Sequence, residues 1–128
     1  MIIDTSAIVA LLVKEPGFEE LLDKLAGDPN PAVNAATLTE AGIVMSARIR
    51  DDARGMLARF VQEGGVDVLP FSDAHYSAAI DAWLRYGKGR HPASLNFGDC
   101  LTYAAAALSG EPLLCVGSDF SRTDLELA

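Results

Sequence analysis

The sequence predicts an α/β fold: one parallel sheet covered by helices on both faces. Two observations carry this. Short apolar runs alternate with longer segments of helical periodicity, the pattern of strands joined by helical crossovers. Glycine and proline stand at most of the junctions between them. A third feature says where such a sheet would work. Acidic residues follow or flank the apolar runs, and parallel sheets bind ligands beyond the carboxyl ends of their strands.

The elements follow in order. Met1 to Asp4 reads as a short buried strand. Ser6 to Lys14 reads as a helix capped by Thr5 or Ser6, and Glu15-Pro16-Gly17 breaks it. Phe18 to Ala26 places Phe18, Leu21, Leu22 and Leu25 at core spacing on a second helix. After the loop Gly27 to Pro31 comes a strand, Ala32 to Ala35. Thr37 opens a third helix ending near Arg50-Asp51, and a fourth runs from Asp52 to Glu63, stopped by Gly64-Gly65. Val66 to Leu69 is a strand closed by Pro70. Ser72 caps a helix from Asp73 to Tyr86, and Gly87 to Ser94 is a glycine- and cation-rich loop. Asn96 or Phe97 opens a helix to Ser109, with Gly110 as its stop. Leu113 to Val116 is the last strand, and a helical turn follows Asp119.

The 128 residues fit one domain, residues 1 to 128, and a 50% hydrophobic composition supplies a core and excludes disorder. The longest apolar run, Ala7 to Val13, is too short to span a bilayer, and no signal peptide is expected. Cys100 and Cys115 read as small buried hydrophobes of a reducing cytosol, so a cytoplasmic location is expected. Net charge is −8, which predicts weak non-specific affinity for nucleic acid and suits a basic protein partner.

Four acids are candidates for chemistry: Asp4, Glu40, Asp99 and Asp119. Each also has a structural reading. Asp4 ends a strand and is able to cap the next helix, although Thr5 and Ser6 offer the same service. Thr37 and Glu40 have capping-box spacing. Asp99 lies near a helix N-terminus, where the dipole favours an anion, with Phe97, Cys100 and Leu101 suggesting an inward turn. Asp119 follows Gly117-Ser118 as a turn acid would. Taken together, carboxylates drawn from distant segments repel and desolvate one another, a cost that a bound cation offsets. Oxygen ligands without paired His or Cys point to Mg2+ or Mn2+. An ion so held is the usual equipment for cutting or transferring phosphate esters. His75 and His91 are single, so no histidine base is assigned.

Arg85, Lys88, Arg90 and His91 form the one concentrated basic patch near a site acid: a solvated loop, or a clamp on a phosphate backbone. Lys88 and Arg90 are its candidate substrate contacts. Tyr86 and Trp83 offer base stacking or core packing. Thr5 and Ser6 are candidates to hydrogen-bond a ligand carboxylate or a metal-bound water, with helix capping as their first role. Arg48, Arg50, Arg54 and Arg59 read as a solvated helical face.

Ile3-Asp4-Thr5-Ser6-Ala7, Thr39-Glu40, Leu95-Asn96-Phe97-Gly98-Asp99-Cys100 and Gly117-Ser118-Asp119-Phe120-Ser121-Arg122-Thr123-Asp124 together resemble PIN-domain ribonucleases of the VapC toxin family. The likeness covers nearly the whole chain, and Leu95 to Cys100 is its most specific part. One departure is Ser118, where Asn is more usual. The resemblance implies a three-layer α/β/α fold and a Mg2+- or Mn2+-dependent endoribonuclease that hydrolyses RNA, tRNA or rRNA, by metal-activated water. It places Asp4, Glu40, Asp99 and Asp119 at the acidic site, Asp4 and Asp99 foremost as metal ligands. It also implies a homodimer and a cognate antitoxin. By charge compensation, a basic side chain of that antitoxin would enter the acidic site. Two other classes fit the residues alone: another metal-dependent phosphate enzyme, such as a DNA nuclease or phosphatase, and a non-catalytic acidic module that receives a cationic partner.

Overall fold

A computed structural model describes all 128 residues. The elements are β1 (Ile2–Ile3), α1 (Thr5–Val13), α2 (Phe18–Gly27), β2 (Ala32–Asn34), α3 (Ala35–Ile49), α4 (Arg54–Glu63), β3 (Asp67–Leu69), α5 (Asp73–Tyr86), α6 (Phe97–Ser109) and β4 (Leu113–Leu114), with a 3-10 turn at Phe120–Arg122. The strands form one parallel sheet in the order β3-β2-β1-β4. Ile2 pairs with Ala32 on one side and Leu113 on the other.

The layers follow from strand periodicity. Successive side chains on a strand point to opposite faces. Ile3, Val33 and Leu114 therefore join one core with Ile8, Leu25, Met45 and Leu57 of α1 to α4. Ile2, Ala32 and Leu113 join the other with Ala79 and Ala82 of α5 and Tyr103 to Ala106 of α6. The strands β1, β2 and β4 are thus buried on both faces, as the apolar runs predict. β3 is an edge strand with Asp67 and Val68 exposed. No helix is long and apolar enough to cross a membrane.

Several boundaries differ from expectation, and the caps explain them. Asp4 itself caps α1, so Thr5 and Ser6 lie inside the helix. α3 begins two residues before Thr37, because Asn34 accepts the N–H of Ala36 at 2.7 Å and serves as the cap. Thr37 is then buried in the first turn, 3.0 Å from the Thr102 hydroxyl of α6. α4 starts at Arg54, where the Asp52 carboxylate accepts the Arg54 N–H at 2.9 Å. Phe97 does not turn inward: it is 80% exposed, while Gly98 and Cys100 face the core.

Candidate active site

Asp4 is the last residue that β1 holds in the sheet, its N–H donating to the Leu114 carbonyl at 2.9 Å. It is 4% exposed. Its Oδ2 accepts from the Ser6 N–H at 3.0 Å and from the Ser6 hydroxyl at 2.6 Å. Ser6 Oγ in turn accepts the Val116 N–H at 2.9 Å. One hydroxyl thus ties the strand-ending acid to the chain leaving β4. Both bonds fall on Oδ2, so Oδ1 has no protein donor.

Glu40 comes in from the second turn of α3. Because Asn34 is the cap, Glu40 is not spent on a capping box. Its Oε1 accepts from the Thr5 hydroxyl at 2.5 Å. Its carboxylate lies against the Cα of Gly98, where a Cβ would collide with it. Gly98 escaped sequence reasoning as a site residue. The signal was there, a glycine beside an acid in the first turn of a helix, where glycine weakens the element unless something must approach closely.

Asp99 is the N3 residue of a real capping box whose N-cap is Asn96. Its Oδ2 accepts from the Asn96 N–H at 3.1 Å, and Asn96 Oδ1 accepts from the Asp99 N–H at 2.9 Å. Burial pushes the Asp99 carboxyl up to about 6, against the lowering effect of the Asn96 N–H, and the charges of Asp4, Asp119 and Glu40 add to the rise. The four acids therefore share one field. None of them forms an ion pair.

A cleft of about 330 Å3 is lined by Asp4, Thr5, Ser6, Glu40, Asn96 and Asp99, together with Glu15 and Arg48. Asp119 is exposed at the start of the 3-10 turn and stands outside this lining. Lys88 and Arg90 do not line it either. Arg90 instead donates to the Leu84 carbonyl at 3.2 Å, with its guanidinium 4.8 Å from the centre of the Trp83 ring. The basic residue in the cleft is Arg48, which the sequence reading assigned to a solvated face. Its spacing from Glu40, two steps of four, carries the signal for a shared helix face.

No three of the acids stand close enough to ligate one ion together. Mg2+ asks for less, since it keeps several waters and takes one or two carboxylates. Asp4 and Asp99 each keep an oxygen free of protein donors, and the lining holds no His or Cys. Nearby Cys115 is no competitor. Burial, with the charges of Asp4 and Asp99, pushes its thiol up to about 11, so it stays protonated. The donor set fits a hard divalent cation.

The PIN domain profile matches residues 1–126. Ribonuclease VapC36 of Mycobacterium tuberculosis is 50% identical over 98% of this chain and 91% of its own length. Ribonuclease VapC of Mycolicibacterium smegmatis is 41% identical over 98% of this chain and 97% of its own. Among solved structures, Mycobacterium tuberculosis VapC20, described as a sarcin-ricin loop cleaving toxin, superposes with a TM-score of 0.80 at 18% identity, covering 99% of this chain and 97% of that one. VapBC2 of Rickettsia felis, bound to a fragment of its promoter DNA, gives 0.76 at 17% identity over 99% and 96%. The profile match and the identity to these relatives show that the chain belongs to the PIN-domain family and, within it, to the VapC ribonucleases.

Proposed function

We propose that this chain is a Mg2+- or Mn2+-dependent endoribonuclease, the toxin of a toxin–antitoxin pair, acting on tRNA or rRNA. One observation carries the reading. Four carboxylates from four separate segments share a field with no ion-pair partner, and their charges add to the burial that raises the Asp99 carboxyl to about 6. The names of the relatives, ribonucleases, and of a structural neighbour, a sarcin-ricin loop cleaving toxin, support the same reading.

Asp4 and Asp99 would hold the ion through their free oxygens, with Glu40 and Asp119 completing the acidic ring. When bound, the ion supplies charge neutralisation and Lewis acidity to the phosphodiester. The chain's own residues supply position. Ser6 fixes Asp4, Thr5 fixes Glu40, and Gly98 lets Glu40 come against the start of α6. Part-buried walls weaken screening by water, so the charges of Asp4 and Asp99 act more strongly there than in bulk solvent.

The same unpaired acids would receive an Arg or Lys of the antitoxin in place of the metal. A second copy of the chain would cover the exposed apolar face of Tyr76, Ile80, Trp83 and Phe97. Brief incubation with tRNA and rRNA, then sequencing of the new ends, tests the activity. Cleavage should require Mg2+ or Mn2+ and fall more than about 100-fold in Asp4→Asn and Asp99→Asn, beyond the cost of losing an outer partner of a metal ligand. Undiminished cleavage in either variant contradicts the assignment, and equal cutting of single-stranded DNA would redirect it to a general nuclease.

A further inference from the structure

An acidic wall repels the phosphate backbone it is meant to cut, so an anchoring charge should stand in reach. The cleft contains one, Arg48. Glu40, Val44 and Arg48 all line the cleft and follow at four-residue spacing on α3, so they share one helix face. Eight residues of helix separate Glu40 from Arg48 by about 12 Å. That separation along the helix sets Arg48 at the far end of the cleft lining from Glu40 and suits a phosphate flanking one held at Asp4 and Asp99. The guanidinium is not committed. It is 52% exposed and lies 3.9 Å from the Glu15 carboxylate, at the limit of an ion pair. Glu15 belongs to the turn between α1 and α2, and no other cation is paired with it.

We infer that Arg48 is a substrate-positioning residue that binds an RNA phosphate flanking the scissile one, and that Glu15 restrains it until RNA arrives. An Arg-to-carboxylate contact at 3.9 Å in solvent is weak. An Arg-to-phosphate contact is charge-assisted and bidentate, so the exchange is favourable once the strand lies in the cleft. Arg48 thereby offsets the acidity that a net charge of −8 imposes on RNA binding. The inference rests on the ribonuclease reading above.

Two readouts test it on the full chain, with a single-stranded RNA oligonucleotide as probe: cleavage kinetics in Mg2+, and binding by fluorescence anisotropy in EDTA across a salt series. Arg48→Ala should raise KM about tenfold with kcat nearly unchanged. The slope of log K against log salt should drop by about 0.7, one single-strand phosphate contact. Arg48→Lys should restore most of the slope. Glu15→Gln should tighten binding about threefold in the wild-type background, the scale of a weak surface pair, and should gain nothing in Arg48→Ala. A merely structural pair would instead make both single variants less stable and leave the slope alone. Unchanged KM and slope in Arg48→Ala, with the wild type cutting normally, overturns the role of Arg48. A Glu15→Gln gain that persists without Arg48 overturns the restraint. A wild type that neither binds nor cuts RNA overturns the ribonuclease reading together with this one.

Discussion

Ser6 spends one hydroxyl on two jobs, donating to Asp4 at 2.6 Å and accepting from Val116 at 2.9 Å. Removing it frees the Asp4 carboxylate to rotate and leaves the Val116 amide without this acceptor. Ser6→Ala should lower RNA cleavage about 10–100-fold, the usual cost of an outer partner to a metal ligand, with a melting temperature within a few degrees of wild type. A wild-type rate would show that Asp4 is held by the backbone alone. Asp99 carries the opposite relation between stability and function. A carboxyl raised from 3.8 to about 6 disfavours the charged fold by at most about 3 kcal/mol. Solvent screening of a half-buried group cuts this to about 1 kcal/mol. Asp99→Asn keeps the acceptor for the Asn96 N–H and removes the charge. It should therefore melt about 3–5 °C higher at pH 7.5 without metal while losing cleavage. The sequence offered the acids but not their attachments. Asp4 as cap, and Thr5 and Ser6 as props rather than caps, depend on which of three neighbouring polar residues the helix start selects. That selection is made by the Leu114 carbonyl and the Val116 amide, both more than 100 positions away.

At the scale of elements, the site is where the first turn of α6 meets α3. Gly98 admits the Glu40 carboxylate, and Thr37 and Thr102 tie the same two helices by a buried contact at 3.0 Å. Gly98→Ala should cost about 1–3 kcal/mol in urea melts, as overpacking does, and should reduce cleavage because Glu40 must move. Full stability with full activity would mean that the two helices separate freely. A second joint lies on the far side of α6. The Tyr103 hydroxyl donates to Asp124 at 2.7 Å and accepts from Arg85 of α5 at 3.1 Å, and Arg85 also reaches Asp124 at 3.2 Å. Tyr103→Phe should lose about 1–2 kcal/mol of stability, the worth of hydrogen bonds to charged partners, without changing the response to Mg2+. Helices were legible because their breakers are local: Pro16-Gly17, Gly64-Gly65 and Gly110 stop them where expected. The α3 start was not, because Thr37 with Glu40 imitates a capping box while a buried Asn34 holds the real cap. Phe97 was misjudged for a related reason. Apolar neighbours predict an inward turn only when the helix phase is known, and Asn96 sets that phase.

For the whole molecule, carboxyls shifted in opposite directions predict an unusual pH profile. Asp28, Asp52 and Asp124 have carboxyls held below their ordinary range, by the terminal ammonium, by Arg54 and by Tyr103 respectively. Their contributions are present above the unfolded value and fade as pH falls through the folded ones. Asp99 runs the other way: its folded value is above the unfolded one, so stability declines as pH rises from about 4 to about 6 and stays lower beyond. Metal-free protein should accordingly be most stable at about pH 4–5, checked by melting from pH 3 to 8. The topology was readable because both signals it needs are coarse, the alternation of elements and the doubly buried strands. The order β3-β2-β1-β4 and the edge position of β3 were not, since no local pattern distinguishes an edge from a centre in a three-residue strand. The most direct test of the central claim, that a divalent cation resolves the repulsion among these acids, is the melting temperature at pH 7.5 with and without millimolar Mg2+ or Mn2+, for wild type and Asp99→Asn side by side. Wild type should rise by several degrees toward or past the variant, and the variant should barely move. A wild type indifferent to both ions, or a variant that responds equally, would contradict it.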